Sequence, residues 1–167
     1  MRLSRSESFP LCLPLVRWSL QVQYGVYAMF DLAYNGRETP VQVRVIGERQ
    51  RIPTRYLEQI FQRLRRAHLV QGKRGPGGGY RLARPPAAIS LRDIVEAIEG
   101  PLDRSLVPDA TSRGGAGRGG FRPGFLWNGV ADQMGRGLAA TTLEDLCREA
   151  ARRAVRRADA ESRTYVI

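Results

Sequence analysis

Residues 55–84 hold the side chains of this chain best suited to recognition chemistry. Arg55, Glu58 and Gln59 stand three and four positions apart, which puts them on neighbouring faces of a helix turn. Each has a base-edge partner: arginine binds guanine bidentately, glutamine binds adenine, and glutamate accepts from the cytosine amino group. Arg63 and Arg66 follow on the same segment, and a short apolar step leads into Lys73-Arg74-Gly75-Pro76-Gly77-Gly78-Gly79-Tyr80-Arg81. A basic amphipathic helix running into a basic, glycine-tipped hairpin is what a winged helix needs to hold duplex DNA. The helix enters the major groove and the wing reaches toward the backbone and minor groove. On that reading Arg74, Gly75, Gly77, Gly78 and Gly79 form the minor-groove wing. Arg63, Arg66, Lys73 and Arg81 meet phosphates and set affinity more than sequence. Tyr80 is expected to pack under the wing rather than stack on a base.

The charge distribution supports a polyanionic partner. The whole chain is +11, and residues 44–84 alone hold eleven basic side chains against Glu48 and Glu58, a net +9. The remaining sixteen basic and fourteen acidic residues nearly cancel. One lysine against 26 arginines shows a compositional bias toward arginine. That bias does not explain why acids are missing from one segment only, and a localised excess is an electrostatic footprint.

These residues need elements to position them. Thr54 can cap a helix whose buried stripe is Leu57, Ile60, Phe61 and Leu64. Leu69-Val70 starts a strand, residues 75–79 turn, and Tyr80-Arg81-Leu82 returns. Upstream, Val22, Val26, Met29, Phe30 and Ala33 keep a helical period over residues 19–35, with Asn35-Gly36 as the stop. Residues 41–49 fit two readings: alternating valines suggest a strand, which local propensity favours, while Val43 and Ile46 also fit a short helix. Downstream, Ser90 with Asp93 resembles a capping box, though Glu or Gln is the usual partner, for a helix bearing Leu91, Ile94, Val95 and Ile98, closed by Gly100. The stretch 101–124 is rich in glycine and arginine and reads as a flexible connector, with contact to RNA as the competing reading. Leu126, Val130, Met134 and Leu138 then recur every four residues, a helix stripe that packs on something. Thr141 with Glu144 is expected to cap a last helix, fraying from Arg152 to Arg157.

Composition sets the outer limits. A 167-residue chain that is 43 % apolar has material for one domain with an added arm. No apolar run is long enough to span a bilayer. Cys12 and Cys147 are 135 positions apart, so the sequence offers neither a disulfide framework nor paired metal-ligand spacing, and it reads as cytoplasmic. Arg2 and Arg5 before Phe9-Pro10-Leu11-Cys12-Leu13-Pro14-Leu15-Val16 have the order of a signal peptide. Two prolines break that run and no small-residue cleavage site follows, so a loosely packed arm is expected instead.

The segments Tyr56-Leu57-Glu58-Gln59-Ile60-Phe61, Leu64-Arg65-Arg66-Ala67, Leu69-Val70 and Arg74-Gly75-Pro76-Gly77-Gly78-Gly79-Tyr80-Arg81-Leu82-Ala83 resemble the Rrf-two-type bacterial transcription regulators. Met1-Arg2-Leu3-Ser4, Tyr24-Gly25, Ala28-Met29 and Leu32-Ala33 match the family's opening helix. Ile89-Ser90-Leu91, Ile94, Gly100-Pro101-Leu102, Trp127 and residues 141–146 match its later parts. The resemblance covers most of residues 20–147 and its wing motif is highly specific. It implies a mainly α fold with a small β-hairpin wing: a winged helix-turn-helix domain plus a C-terminal dimerisation helix. Under it, residues 41–49 become the first helix of the helix-turn-helix. The implied organisation is a poorly ordered arm at 1–19, the DNA-binding domain at 20–100 and the Gly/Arg-rich loop at 101–124. A dimerisation helix at 125–140, with Leu126, Val130, Met134 and Leu138 at the interface, precedes a short helix and tail at 141–167.

The chain departs from the family pattern in three places. About fifteen extra residues separate Met1–Ser4 from the first helix, and His68 stands where the family usually has glycine. Sensor members carry three cysteines after the wing domain that hold an iron–sulfur cluster, whereas no cysteine lies between 13 and 146 here. No cofactor is therefore expected, the cluster included. The implied function is a homodimeric, sequence-specific regulator of transcription, a repressor, acting on a pseudo-palindromic duplex operator. Two rival classes are weaker. A phosphate-cradling enzyme would need a Gly-Lys-Ser/Thr ending and a helix opening after residues 75–79, and neither is present. A non-sequence-specific nucleic-acid binder would use the basic wing with the Arg/Gly loop.

Overall fold

The computed structural model describes residues 18–36, 39–102 and 124–158, with side chains from 129 onward in the last stretch. The extra segment before residue 18 and the Gly/Arg-rich loop lie outside the described residues. Helix α1 spans Leu20–Asn35 and starts at Ser19, whose hydroxyl accepts from the Val22 N–H at 3.2 Å. Helix α2 spans Val43–Gln50 and helix α3 Thr54–Arg66. Strands β1, Val70–Lys73, and β2, Gly79–Leu82, pair antiparallel with Val70 opposite Leu82 and Lys73 opposite Gly79. A 3₁₀ turn at Pro86–Ala88 leads to α4, Leu91–Glu99. Helices α5, Gly124–Ala139, and α6, Leu143–Arg152, complete the order. This is the mainly helical fold with a hairpin wing expected from the sequence.

The strand favoured by local propensity over residues 41–49 holds only at Val41; tertiary packing makes the rest a helix. Val41 makes a reciprocal backbone pair with Tyr80, each N–H donating to the other's carbonyl at 2.8 Å. Two residues later the chain is helical. Val41 is thus a one-residue third strand of the wing and residues 43–50 are the first helix of the helix-turn-helix. Gly79 owes its identity to this pairing. Its φ is +151°, and a Cβ there would lie 2.4 Å from the Val41 carbonyl oxygen.

The core gathers under α3. Leu57, Ile60, Phe61 and Leu64 are buried together with Met29 and Leu32 of α1, Ile46 of α2, and Ile94, Val95 and Ile98 of α4. Burial of these side chains, worth about 1.5–3 kcal/mol each, fixes the rotation of α3 about its own axis. Thr54 proves to be the first residue of α3, not its cap; Pro53 precedes it and supplies no capping side chain.

Two capping boxes anchor the C-terminal half. Ser90 with Asp93 is one, as the sequence indicates. The other is Thr142 with Asp145, one residue beyond the expected Thr141–Glu144 pair. The two caps are joined: Leu91 N–H donates to the Thr141 carbonyl and Leu143 N–H to the Ile89 carbonyl, both at 2.9 Å. Helices α4 and α6 therefore start side by side. Helix α6 ends at Arg152, where the sequence places the start of its frayed end. Ala154 takes a left-handed φ of 53°, and the chain through 158 docks on the end of α1.

Candidate nucleic-acid interface

Helix α3 turns its apolar stripe inward, so its outer face is set by helical geometry. Arg55, Glu58, Gln59 and Arg66 are all exposed there. Gln62 lies between Gln59 and Arg66 on the same face and is exposed too. Sequence reasoning left Gln62 out of the candidate readers although its distance from the stripe was visible. Glu58 is the only acid on α3, and Arg63, Arg65 and Arg66 occupy its last turn, where cations complement the helix dipole.

Arg63 departs from its expected role at phosphates. It is half-buried and turned toward α1 and α4. Its Nη1 donates to the Ile98 carbonyl at 2.7 Å and to Gln21 Oε1 at 2.8 Å. Tyr56 lies on the same flank and meets Tyr24 of α1 edge to face, ring centroids 6.4 Å apart. These contacts tie the inward flank of α3 to its supports and leave the outer face clear.

The wing stands beside α3 and is fastened to it by aromatic packing. The Phe61 and Tyr80 rings lie 4.6 Å apart between centroids. Tyr80 thus packs under the wing, as expected. Gly72 stands opposite Tyr80 in the ladder. At the tip, Gly75 and Gly77 have φ of +89° and +68°, left-handed values that glycine adopts without penalty. Gly78 is required by space, since a Cβ would approach the Lys73 carbonyl oxygen to 2.4 Å. Arg74 and Lys73 are exposed at the tip. Arg81 is exposed on the strand and donates to the facing Gln71 at 3.2 Å.

Not all of the basic excess is available to a ligand. Arg49 is engaged with the buried Asp31, Arg44 with Glu48, and Arg84 approaches Asp93 at 3.9 Å. With Arg63 also engaged, the exposed cations that flank α3 and the wing are Arg51, Arg55, Arg65, Arg66, Lys73, Arg74 and Arg81. They leave a predominantly positive surface on two adjoining elements, with Glu58 as the one exposed acid of α3.

The expected dimer stripe on α5 does not form one face. Leu138 is buried in the core of its own chain with Ala131 and Gly135, where α5 packs on α4 and Arg92 covers Gly135. Met134 is half-buried, and Val130 is 44 % exposed. The Leu126 side chain lies outside the described residues. Beside Leu138 an apolar groove of about 290 Å³ runs between α1, α4 and α5, lined by Trp18, Val22, Val26, Tyr27 and Val95.

His68 occupies the residue after the helix cap with a φ of 55°. Leu69 N–H donates to the Leu64 carbonyl at 3.0 Å across it, a Schellman-type closure. That left-handed position explains why glycine suits it. Among the described residues no cluster of three or more metal-binding side chains exists. Cys147 is a free thiol half-buried on α6, and burial pushes its pKa up, against the opposing pull of Arg157. A thiol raised in this way is the less readily ionised and the weaker nucleophile.

Comparison with known proteins agrees with this architecture. Residues 18–149 match the Rrf2 family, described as iron-dependent transcriptional regulator. The regulator IscR of Vibrio cholerae is 39 % identical over 135 residues, spanning 78 % of this chain and 75 % of that protein. A putative HTH-type transcriptional regulator, ORF2 of Azotobacter vinelandii, is 36 % identical over 137 residues, spanning 78 % and 79 %. Among solved structures, T. potens IscR superposes with a TM-score of 0.67 at 33 % identity, covering 87 % of this chain and 96 % of that one. CymR of B. subtilis, a global cysteine regulator, gives 0.63 at 32 % identity, covering 81 % and 98 %. These are transcription regulators rather than enzymes. No described helix is long and apolar enough to cross a membrane. The wing, the helix-turn-helix and the family match together make this chain a member of the Rrf2 family and a DNA-binding transcription regulator.

Proposed function

We propose that the protein is a homodimeric, sequence-specific regulator that represses transcription by occupying a pseudo-palindromic operator. The observation that carries this is the outer face of α3. Arg55, Glu58, Gln59 and Gln62 project from a helix whose rotation the core fixes, beside a wing tip bearing Arg74. Arginine, glutamine and glutamate there can read base edges, while Arg66, Lys73 and Arg81 neutralise phosphates. Arg74 enters the minor groove next to the read bases.

The dimer uses the exposed side of α5 around Val130 and the apolar groove beside it. Tyr27 of α1 lines that groove and is itself half exposed, which adds to the apolar surface a second copy would cover. Two copies related by a two-fold axis demand two half-sites one helical repeat apart. A dimer seated on a promoter blocks polymerase access, which makes repression its simplest effect. We further propose that no iron–sulfur cluster is held: a chain with two cysteines, 135 positions apart, lacks the converging thiolates such a cluster needs.

Selection of duplexes from a random pool by the purified full-length protein tests the function. A single motif with two-fold symmetry supports it; enrichment without a shared motif contradicts it. Val130→Asp, measured by solution mass at micromolar concentration, should shift a dimer to monomer.

A further inference from the structure

Asp31 is the only charged residue that is fully buried among the described residues, and it takes no part in the DNA face. It lies on α1 and its carboxylate gathers three donors. Oδ1 accepts from Arg49 Nη1 at 3.2 Å; Oδ2 accepts from Gln50 Nε2 at 2.8 Å and from Asn35 Nδ2 at 3.2 Å. Arg49 and Gln50 are the last residues of α2. The next residue, Arg51, has a left-handed φ of 54° and starts the turn into α3, where the Arg51 and Ile52 N–H groups both donate to the Gly47 carbonyl. A buried carboxylate needs its donors, so it holds the end of α2 where those donors reach it.

The same network has a second end. Asn35 Oδ1 accepts from the Ala158 N–H at 3.0 Å, and the Tyr34 hydroxyl donates to the Val155 carbonyl at 2.8 Å. The Arg157 guanidinium sits 4.7 Å from the centre of the Tyr34 ring, which stacks on Phe30. Asn35 is the shared link. An amide has one acceptor end and one donor end, so its NH₂ can face Asp31 only while its oxygen faces the other way. The Ala158 N–H is the group that rewards that orientation.

We propose that the C-terminal tail, residues 153–158, is a coupling element for the helix-turn-helix. Docked on Tyr34 and Asn35, it holds the turn between α2 and α3 through Asn35, Asp31, Arg49 and Gln50. Lifting the tail releases the amide, removes one donor from the buried carboxylate and loosens the turn that presents α3. Asp31 and Asn35 are positioning residues; neither touches DNA. The consequence for affinity rests on the DNA-binding function proposed above, but the coupling itself does not.

The test compares the full chain with a truncation after Arg152, with Asn35→Ala, and with both changes together. Amide hydrogen exchange is followed in DNA-free protein. Truncation should speed exchange at Arg51 and Ile52 about ten-fold, Asn35→Ala should do the same, and the combination should add little. Unchanged exchange at Arg51 and Ile52, or effects that multiply, would overturn the proposal. Tyr34→Phe keeps the tail and removes one bond to it, so it covers the case of a truncation that fails to fold. It should speed the same amides about three-fold, and no change there is also contrary. On a selected duplex, truncation should weaken binding with the salt dependence unaltered. Failure of the parent protein to select any duplex would count against the DNA reading while leaving the exchange result to stand or fall alone.

Discussion

The rings of Phe61 on α3 and Tyr80 on β2 pack against each other with centroids 4.6 Å apart and planes tilted by 32°, which makes the recognition helix and the wing one mechanical unit. Tyr80 also pairs its backbone with Val41, so the wing is held at both its side chain and its main chain. Removing the ring should release the wing and uncover the Phe61 edge of the stripe while leaving Leu57, Ile60 and Leu64 packed. Tyr80→Ala should cost about 2–4 kcal/mol in urea unfolding, whereas Tyr80→Phe should stay within about 0.5 kcal/mol. A Tyr80→Ala protein as stable as its parent would show that the ring contact contributes nothing.

Arg63 and Arg66 lie three residues apart and should behave in opposite ways. Arg63→Ala strips a buried carbonyl, Ile98, of a charged donor and should lower stability by about 1–2 kcal/mol. It should leave the salt dependence of duplex binding as it was. Arg66→Ala should alter stability by less than about 0.5 kcal/mol and reduce the slope of log affinity against log salt by about one. Equal slopes for Arg66→Ala and the parent would remove Arg66 from the phosphate contacts.

At position 68 the chain accepts a left-handed backbone with a side chain attached. His68→Gly should raise stability by about 1 kcal/mol, read from the denaturation midpoint at constant slope. A loss of stability would mean the imidazole makes a contact worth more than the strain.

For the cluster, the decisive handling is anaerobic purification with iron and sulfide supplied. The expected product is colourless and free of stoichiometric iron. Visible charge-transfer absorption with bound iron would contradict the assignment.

Much of the fold was legible because it is local. Leu57, Ile60, Phe61 and Leu64 keep the helical period, and the run from Gly75 to Gly79 announces its turn; both reappear in the structure. The α5 face was not legible, for a geometric reason. Residues four apart drift about 40° around a helix, so Val130 and Leu138 differ by about 80° and cannot share a narrow stripe. Arg63 and Asp31 escaped for another reason. Their roles depend on partners 35 and 18 residues away, Ile98 and Arg49, and no local pattern encodes such a meeting. The docked tail escaped likewise, since its contacts with Tyr34 and Asn35 span more than a hundred residues.

The central claim is that α3 reads sequence and the wing adds affinity. The most direct measurement titrates the parent, Gln59→Ala and Arg74→Ala against the selected duplex and against each single base-pair variant of it. Gln59→Ala should lose discrimination at one base pair per half-site, about 1–3 kcal/mol, and keep it elsewhere. Arg74→Ala should weaken binding to the whole set, with the losses shrinking as salt rises. Undiminished discrimination at every position in Gln59→Ala, together with salt-independent binding of the parent, would contradict the account.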